Sequence, residues 1–149
     1  MARNEIMIDA PPAQVYEVLL EPSAYPKWVV GAKQLRGVDR RWPRTGARFH
    51  HKVGAGAVTL NDSTKLLEKK ENRRVVLEVR IRPVGVGKVA IDLKPRRRGR
   101  RTRVVMTEDL TRGPASWVRR PIRSAAISAR NAVSLRRLRR LVASRDGSR

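Results

Sequence analysis

Five polar side chains interrupt an otherwise apolar set of alternating positions: His51, Asp62, Thr64, Thr102 and Glu108. Buried polar groups need partners, and a buried carboxylate needs a cation, a proton or water. An imidazole beside a carboxylate is a ready acid–base pair, because histidine titrates near neutrality and the carboxylate fixes its tautomer. The strand register set out below places Asp62 diagonal to His51, within reach across two strands. The pair reads in two ways: an acid–base centre, or polar residues near open strand ends that meet solvent. Other catalytic templates are missing. With two histidines and no cysteine there is no convincing zinc site and no disulfide. Gly54-Ala55-Gly56 lacks the lysine and following helix of a phosphate-cradling loop, and no serine sits in a nucleophile-elbow context. Neither a metal nor a cofactor is expected.

The elements that carry these residues are strands. After Gly46 the hydrophobic period becomes two: Phe49, His51 and Val53 alternate with Arg48, His50 and Lys52. Turns centred between Ala55 and Gly56, on Glu71-Asn72 and on Gly85 set Val53 opposite Val58 and His51 opposite Leu60. They also set Leu66 opposite Leu77, Thr64 opposite Val79 and Ile81 opposite Val89. Residues opposite one another share a face, so the apolar sets line one side of an antiparallel meander. Thr102, Val104, Met106 and Glu108 share a face of the last strand. The C-terminal segment is helical, with Trp117, Ile122, Ala125, Ala126, Ala129, Ala132, Val133, Leu138, Leu141 and Val142 as its apolar side. Pro121 marks either its first turn or a break between two shorter helices. A sheet with one apolar face and one long helix must bury those faces together. The alanines leave volume between them.

Upstream, Ile6, Met7 and Ile8 form a short apolar run and Ala10–Trp28 reads APPAQVYEVLLEPSAYPKW. Pro11 suits a first helical turn, Asp9 can accept from its free amides, and Val15, Val18 and Leu19 make a helical stripe. Pro22 ends that helix, and Tyr25 and Trp28 follow on a second short one. The set Ile8, Ala10, Pro11, Val15, Tyr16, Glu21, Tyr25 and Trp28 resembles the opening of the START-related superfamily known as SRPBCC, most nearly its polyketide cyclase/dehydrase-like proteins. The resemblance implies an α+β helix-grip (START/Bet v 1-like) fold, a curved antiparallel sheet wrapped around a long C-terminal helix with two short helices after the first strand. It also implies a ligand cavity between sheet and helix, with Tyr25 and Trp28 near its mouth and Glu108 pointing inward. Tyr25, Trp28, His51, Asp62, Thr64, Val79, Ile91, Met106, Glu108, Trp117, Ala125 and Ala129 are the expected pocket residues. Tyr25, Trp28 and Trp117 read equally as plugs of the core.

The 149 residues suffice for one domain, expected over 1–143 with a short polar tail at 144–149. No signal core or membrane-length run is present, so a cytoplasmic location is expected. The charge is extreme, +22, and 27 of the 35 basic residues are arginine. Such a field attracts polyanions, nucleic acid or acidic membrane; arginine-biased codon usage is the alternative origin. Arg96, Arg97, Arg98, Arg100 and Arg101 cluster in the last hairpin, and Arg136, Arg137, Arg139 and Arg140 on the C-terminal helix. Three functions are therefore expected to compete. The first is a carrier or sensor of a hydrophobic or aromatic small molecule. The second is a polyketide cyclase/aromatase or dehydratase using His51, Asp62 and Glu108. The third is a polyanion-binding module.

Overall fold

A computed structural model describes residues 1–55, 57–81, 85–113 and 119–146. Strand β1 (Ala2–Ile8) leads into α1 (Pro12–Leu19), a 3₁₀ turn (Pro22–Ala24) and α2 (Tyr25–Trp28). Six strands follow: β2 (Ala32–Val38), β3 (Arg48–Ala55), β4 (Val58–Lys70), β5 (Arg74–Ile81), β6 (Gly85–Arg96) and β7 (Arg101–Arg112). Helix α3 (Arg120–Asp146) closes the chain and runs into the stretch expected to be a tail. The sheet is antiparallel in the order β1-β7-β6-β5-β4-β3-β2. Its apolar face, with Phe49, Leu66, Leu77, Ile91, Val104 and Met106, packs with α1, α2 and the Leu135, Leu138 and Val142 side of α3.

Leu66 pairs with Leu77 and Thr64 with Val79, as the sequence predicts. Two hairpin turns are displaced from the expected positions. Val53 pairs with Leu60 and His51 with Asp62, not with Val58 and Leu60; Ile81 pairs with Gly85, not with Val89. The shifts are even-numbered, so every side chain keeps its face. Glycines stand beside both turns, Gly54 in close approach to β4 and Gly85 to β7. A Cβ on Gly54 would lie 2.0 Å from the Val58 carbonyl oxygen, and one on Gly85 would lie 2.4 Å from that of Arg112. Both glycines are strand residues in close backbone approach.

Strand β2 was invisible to alternation. Only Ala32 is buried along it, and register shifts between Ala32 and Gln34 and between Leu35 and Gly37 break its period. Asp9 does not cap α1, whose start has no side-chain cap; its carboxylate lies 3.5 Å from Arg101 Nε at the surface. Pro121 falls in the first turn of α3, which is unbroken.

The inward face of α3 is Asn131, Ser134, Leu135, Leu138 and Val142. Ile122, Ala125, Ala126 and Ala129 are exposed. The expected alanine stripe is thus out of phase with the buried one over the first half of the helix. Stepping back from Leu138 by three or four residues reaches Leu135, Ser134, Asn131 and Ser128. Hydrogen bonds hold this polar seam: Asn4 Nδ2 donates to the Ser128 carbonyl at 3.0 Å, and Val30 N donates to Ser134 Oγ at 3.0 Å.

Candidate ligand-binding cavity

A cavity of about 250 Å³ lies between the sheet and the helices α2 and α3. Strand alternation delivers its apolar wall: Val53 from β3, Leu77 and Val79 from β5, Val89 and Ile91 from β6, and Met106 from β7. Tyr25 and Trp28 come from α2, packed edge to face with ring centroids 5.6 Å apart. Polar groups enter at two places.

The first is His51 with Asp62. The displaced turn puts them directly opposite one another, and both are buried (side chains 1% exposed), not at a wet strand end. His51 Nε2 lies 3.4 Å from Asp62 Oδ2 and 3.3 Å from Thr64 Oγ1. The Tyr25 ring covers the imidazole at 5.0 Å. Burial disfavours both charged forms: it pushes the His51 pKa down to about 4 and the Asp62 pKa up to about 7. Burial also raises the Tyr25 hydroxyl pKa, and Tyr25 shares a hydrogen bond with Thr64. Near pH 7 the imidazole is neutral and Asp62 sits close to its midpoint. Asp62 can donate a proton and His51 can accept one. Among the described residues, His51 Nδ1, Asp62 Oδ1 and Trp28 Nε1 are buried without a hydrogen-bond partner.

The second is Glu108, whose Oε1 and Oε2 accept from Arg130 Nη2 at 2.7 and 2.8 Å. Oε2 also accepts from Asn131 Nδ2 at 2.7 Å. Glu108 thus pins α3 to β7 and spends both oxygens on that contact. Arg130, Asn131 and Ser134 line the cavity and were missed in the sequence. The available signal was a polar run lying on the 3–4 spacing back from Leu138.

Of the expected pocket residues, Tyr25, Trp28, His51, Asp62, Val79, Ile91, Met106 and Glu108 line the cavity. Thr64 lies beneath it, bonded to His51. Ala125 and Ala129 point away, because the polar seam turns the other face of α3 inward. Trp117 lies outside the described residues. Thr102 is buried elsewhere, donating from Oγ1 to the Ala10 carbonyl at 2.8 Å. The arginines of the last hairpin and of α3, Arg96, Arg97, Arg98, Arg100, Arg136, Arg137, Arg139 and Arg140, are exposed and do not line the cavity; Arg101 is half-buried. Among the described residues, no cluster of three or more His, Asp or Glu could hold a metal ion. No described helix is long and apolar enough to cross a membrane.

A seven-stranded antiparallel sheet gripping a long C-terminal helix, with a cavity between them, defines a helix-grip protein. Residues 2–143 match the model of the family described as polyketide cyclase / dehydrase and lipid transport, and the chain belongs to that family. Its fold is shared with a Nitrosomonas europaea protein (TM-score 0.73, 19% identity, 98% of this chain and 97% of that one). A Staphylococcus aureus protein of unknown function is similar too (TM-score 0.74, 9% identity, 98% and 96%). So is a protein of the dynemicin biosynthetic locus (TM-score 0.67, 18% identity, 93% of this chain and 45% of that one). No curated protein sequence matches significantly.

Proposed function

We propose that this protein binds a compact hydrophobic or aromatic molecule in the cavity between sheet and helix, as a carrier or sensor. The observation that carries this reading is an apolar chamber between sheet and helices with a few polar side chains, His51, Asp62 and Arg130 among them, in its lining. The size argues for a small occupant. Drug-sized ligands occupy about 300–1,000 Å³, and an apolar cavity of about 150 Å³ already holds benzene. One or two rings suit the space; a long acyl chain does not. Native mass spectrometry of the purified protein, followed by titration with lipids and with one- to three-ring aromatics, tests the reading. Saturable binding by small aromatics supports it; no bound species from either class sinks it.

The His51–Asp62 pair favours a second reading, a cyclase- or dehydratase-like enzyme. A neutral base and a carboxyl poised near pH 7 stand in one apolar pocket, where binding would also fold a flexible substrate. Glu108 has no part in it, since its oxygens are engaged by α3. The two readings separate on Asp62→Asn. A carrier retains its ligand within a few-fold, whereas an enzyme loses turnover on a poly-β-ketone mimic while still binding it.

A further inference from the structure

The outer face of the sheet carries a row of basic and neutral residues with no carboxylate in it. Two neighbouring rows can be followed across β3 to β7 from the strand register. In one, Arg48, Lys65, Glu78, Lys88 and Asp109 stand opposite one another, so two acids stand among three bases. In the next, His50 faces Ser63, Ser63 faces Arg80, Arg80 faces Val86, and Val86 faces Arg112. That row contains no acid.

A groove of about 580 Å³ opens on this row, bringing in Arg36 from β2 and Asn61 from β4. Among the described residues no carboxylate pairs with Arg36 or Arg80, and Arg80 Nε is buried with no hydrogen-bond partner. One acid borders the groove, Asp62; its carboxyl is buried against His51 and acts on Arg36 through space, without an ion pair. Two guanidinium forks, an imidazole, a hydroxyl and a carboxamide thus meet in one hollow. Guanidinium matches tetrahedral oxyanions through paired N–H donors, and Ser63 and Asn61 supply further donors without adding charge.

We propose that this groove is an oxyanion site for a phosphate group, held between Arg36 and Arg80 with His50, Ser63 and Asn61 as further donors. It is separate from the internal cavity and from the exposed arginines of the last hairpin and α3. Its occupant is a free phosphate or the phosphate of a lipid headgroup.

The test is a titration of the ¹⁵N-labelled full chain with inorganic phosphate, followed by ¹H–¹⁵N correlation spectra at ionic strength held constant with chloride. Saturable shifts centred on residues 36, 50, 61, 63 and 80 are expected. Arg80→Gln and Arg36→Gln should each weaken binding about tenfold, Arg80→Lys less, and Arg137→Gln on the exposed side of α3 not at all. The dispersion of each spectrum reports whether the variant folds, and the Arg36 variant stands if the Arg80 variant does not. Vesicles of phosphatidylcholine with and without phosphatidic acid form the second arm. Arg80-dependent capture by phosphatidic acid assigns a headgroup, and saturation by phosphate without capture assigns a free ion. Equal binding by wild type and both glutamine variants, or equal loss with Arg137→Gln, overturns the proposal in favour of diffuse charge attraction.

Discussion

His51 and Asp62 face one another in a dry wall, and burial acts on them with opposite consequences for stability. Asp62 has a folded pKa of about 7, above the value near 3.9 of an unfolded chain. The fold therefore holds the extra proton, and stability falls as pH rises from about 4 to about 7. His51, at about 4 when folded, is below its unfolded value near 6.5. There the unfolded chain holds the extra proton, so stability rises over about pH 4 to 6.5. The slopes oppose one another in the wild type. Urea unfolding across this range should show stability rising with pH in Asp62→Asn, where only the histidine remains. It should show stability falling in His51→Gln, where only the carboxyl remains. Parallel curves for all three proteins would contradict the assigned burial effects. The two residues were visible in the sequence as polar interruptions of an apolar face. Their direct opposition was not, because it depends on where the turn between β3 and β4 falls.

Helix α3 shows how an element can be found in sequence and still be placed out of phase. Its existence follows from composition and period, while Pro121 fits a first turn or a break equally, and the helix runs to Asp146, into the expected tail. Its orientation follows from hydrogen bonds that no apolar count detects: Asn4 to Ser128, Glu108 to Arg130 and Asn131, and Val30 to Ser134. Alanine is neutral enough to face either way, so the alanines carried little phase information. The serines and the asparagine carried it. Two substitutions separate the phases. Ala129→Leu, on the exposed side, should leave stability within about 0.5 kcal/mol of wild type. Ser134→Ala should cost about 1 kcal/mol by leaving the Val30 amide without its partner. Chemical denaturation of both measures the difference, and the reverse order would restore the alanine-inward helix. Strand β2 was lost for a related reason: two register irregularities in seven residues erase a period of two.

At the scale of the molecule, the face-preserving alternation of β3 to β7 required a sheet buried against a helix, and the resemblance carried by Ile8 to Trp28 implied that the sheet grips it. The contents of that grip were only partly legible, since the cavity draws its second polar cluster from Arg130 and Asn131. The charge of +22 is distributed over the outside, on the hairpin, α3 and the convex sheet face. Self-repulsion of that size is weakened by salt. The thermal midpoint should therefore rise from low to moderate concentrations of sodium chloride, and a midpoint that falls would mean the surface ion pairs outweigh the repulsion. The cavity sits inside this charged shell and answers to other forces. Its occupancy is tested most directly by methyl-resolved NMR titration with one- and two-ring aromatics, comparing wild type with Val79→Phe, whose added ring occupies the chamber. Saturable shifts confined to the methyls of Val79, Ile91 and Met106 in the wild type, and abolished by the filled chamber in a folded variant, are the expected result. No saturable shift at those methyls for any member of the series, or equal shifts in Val79→Phe, would contradict a ligand between sheet and helix.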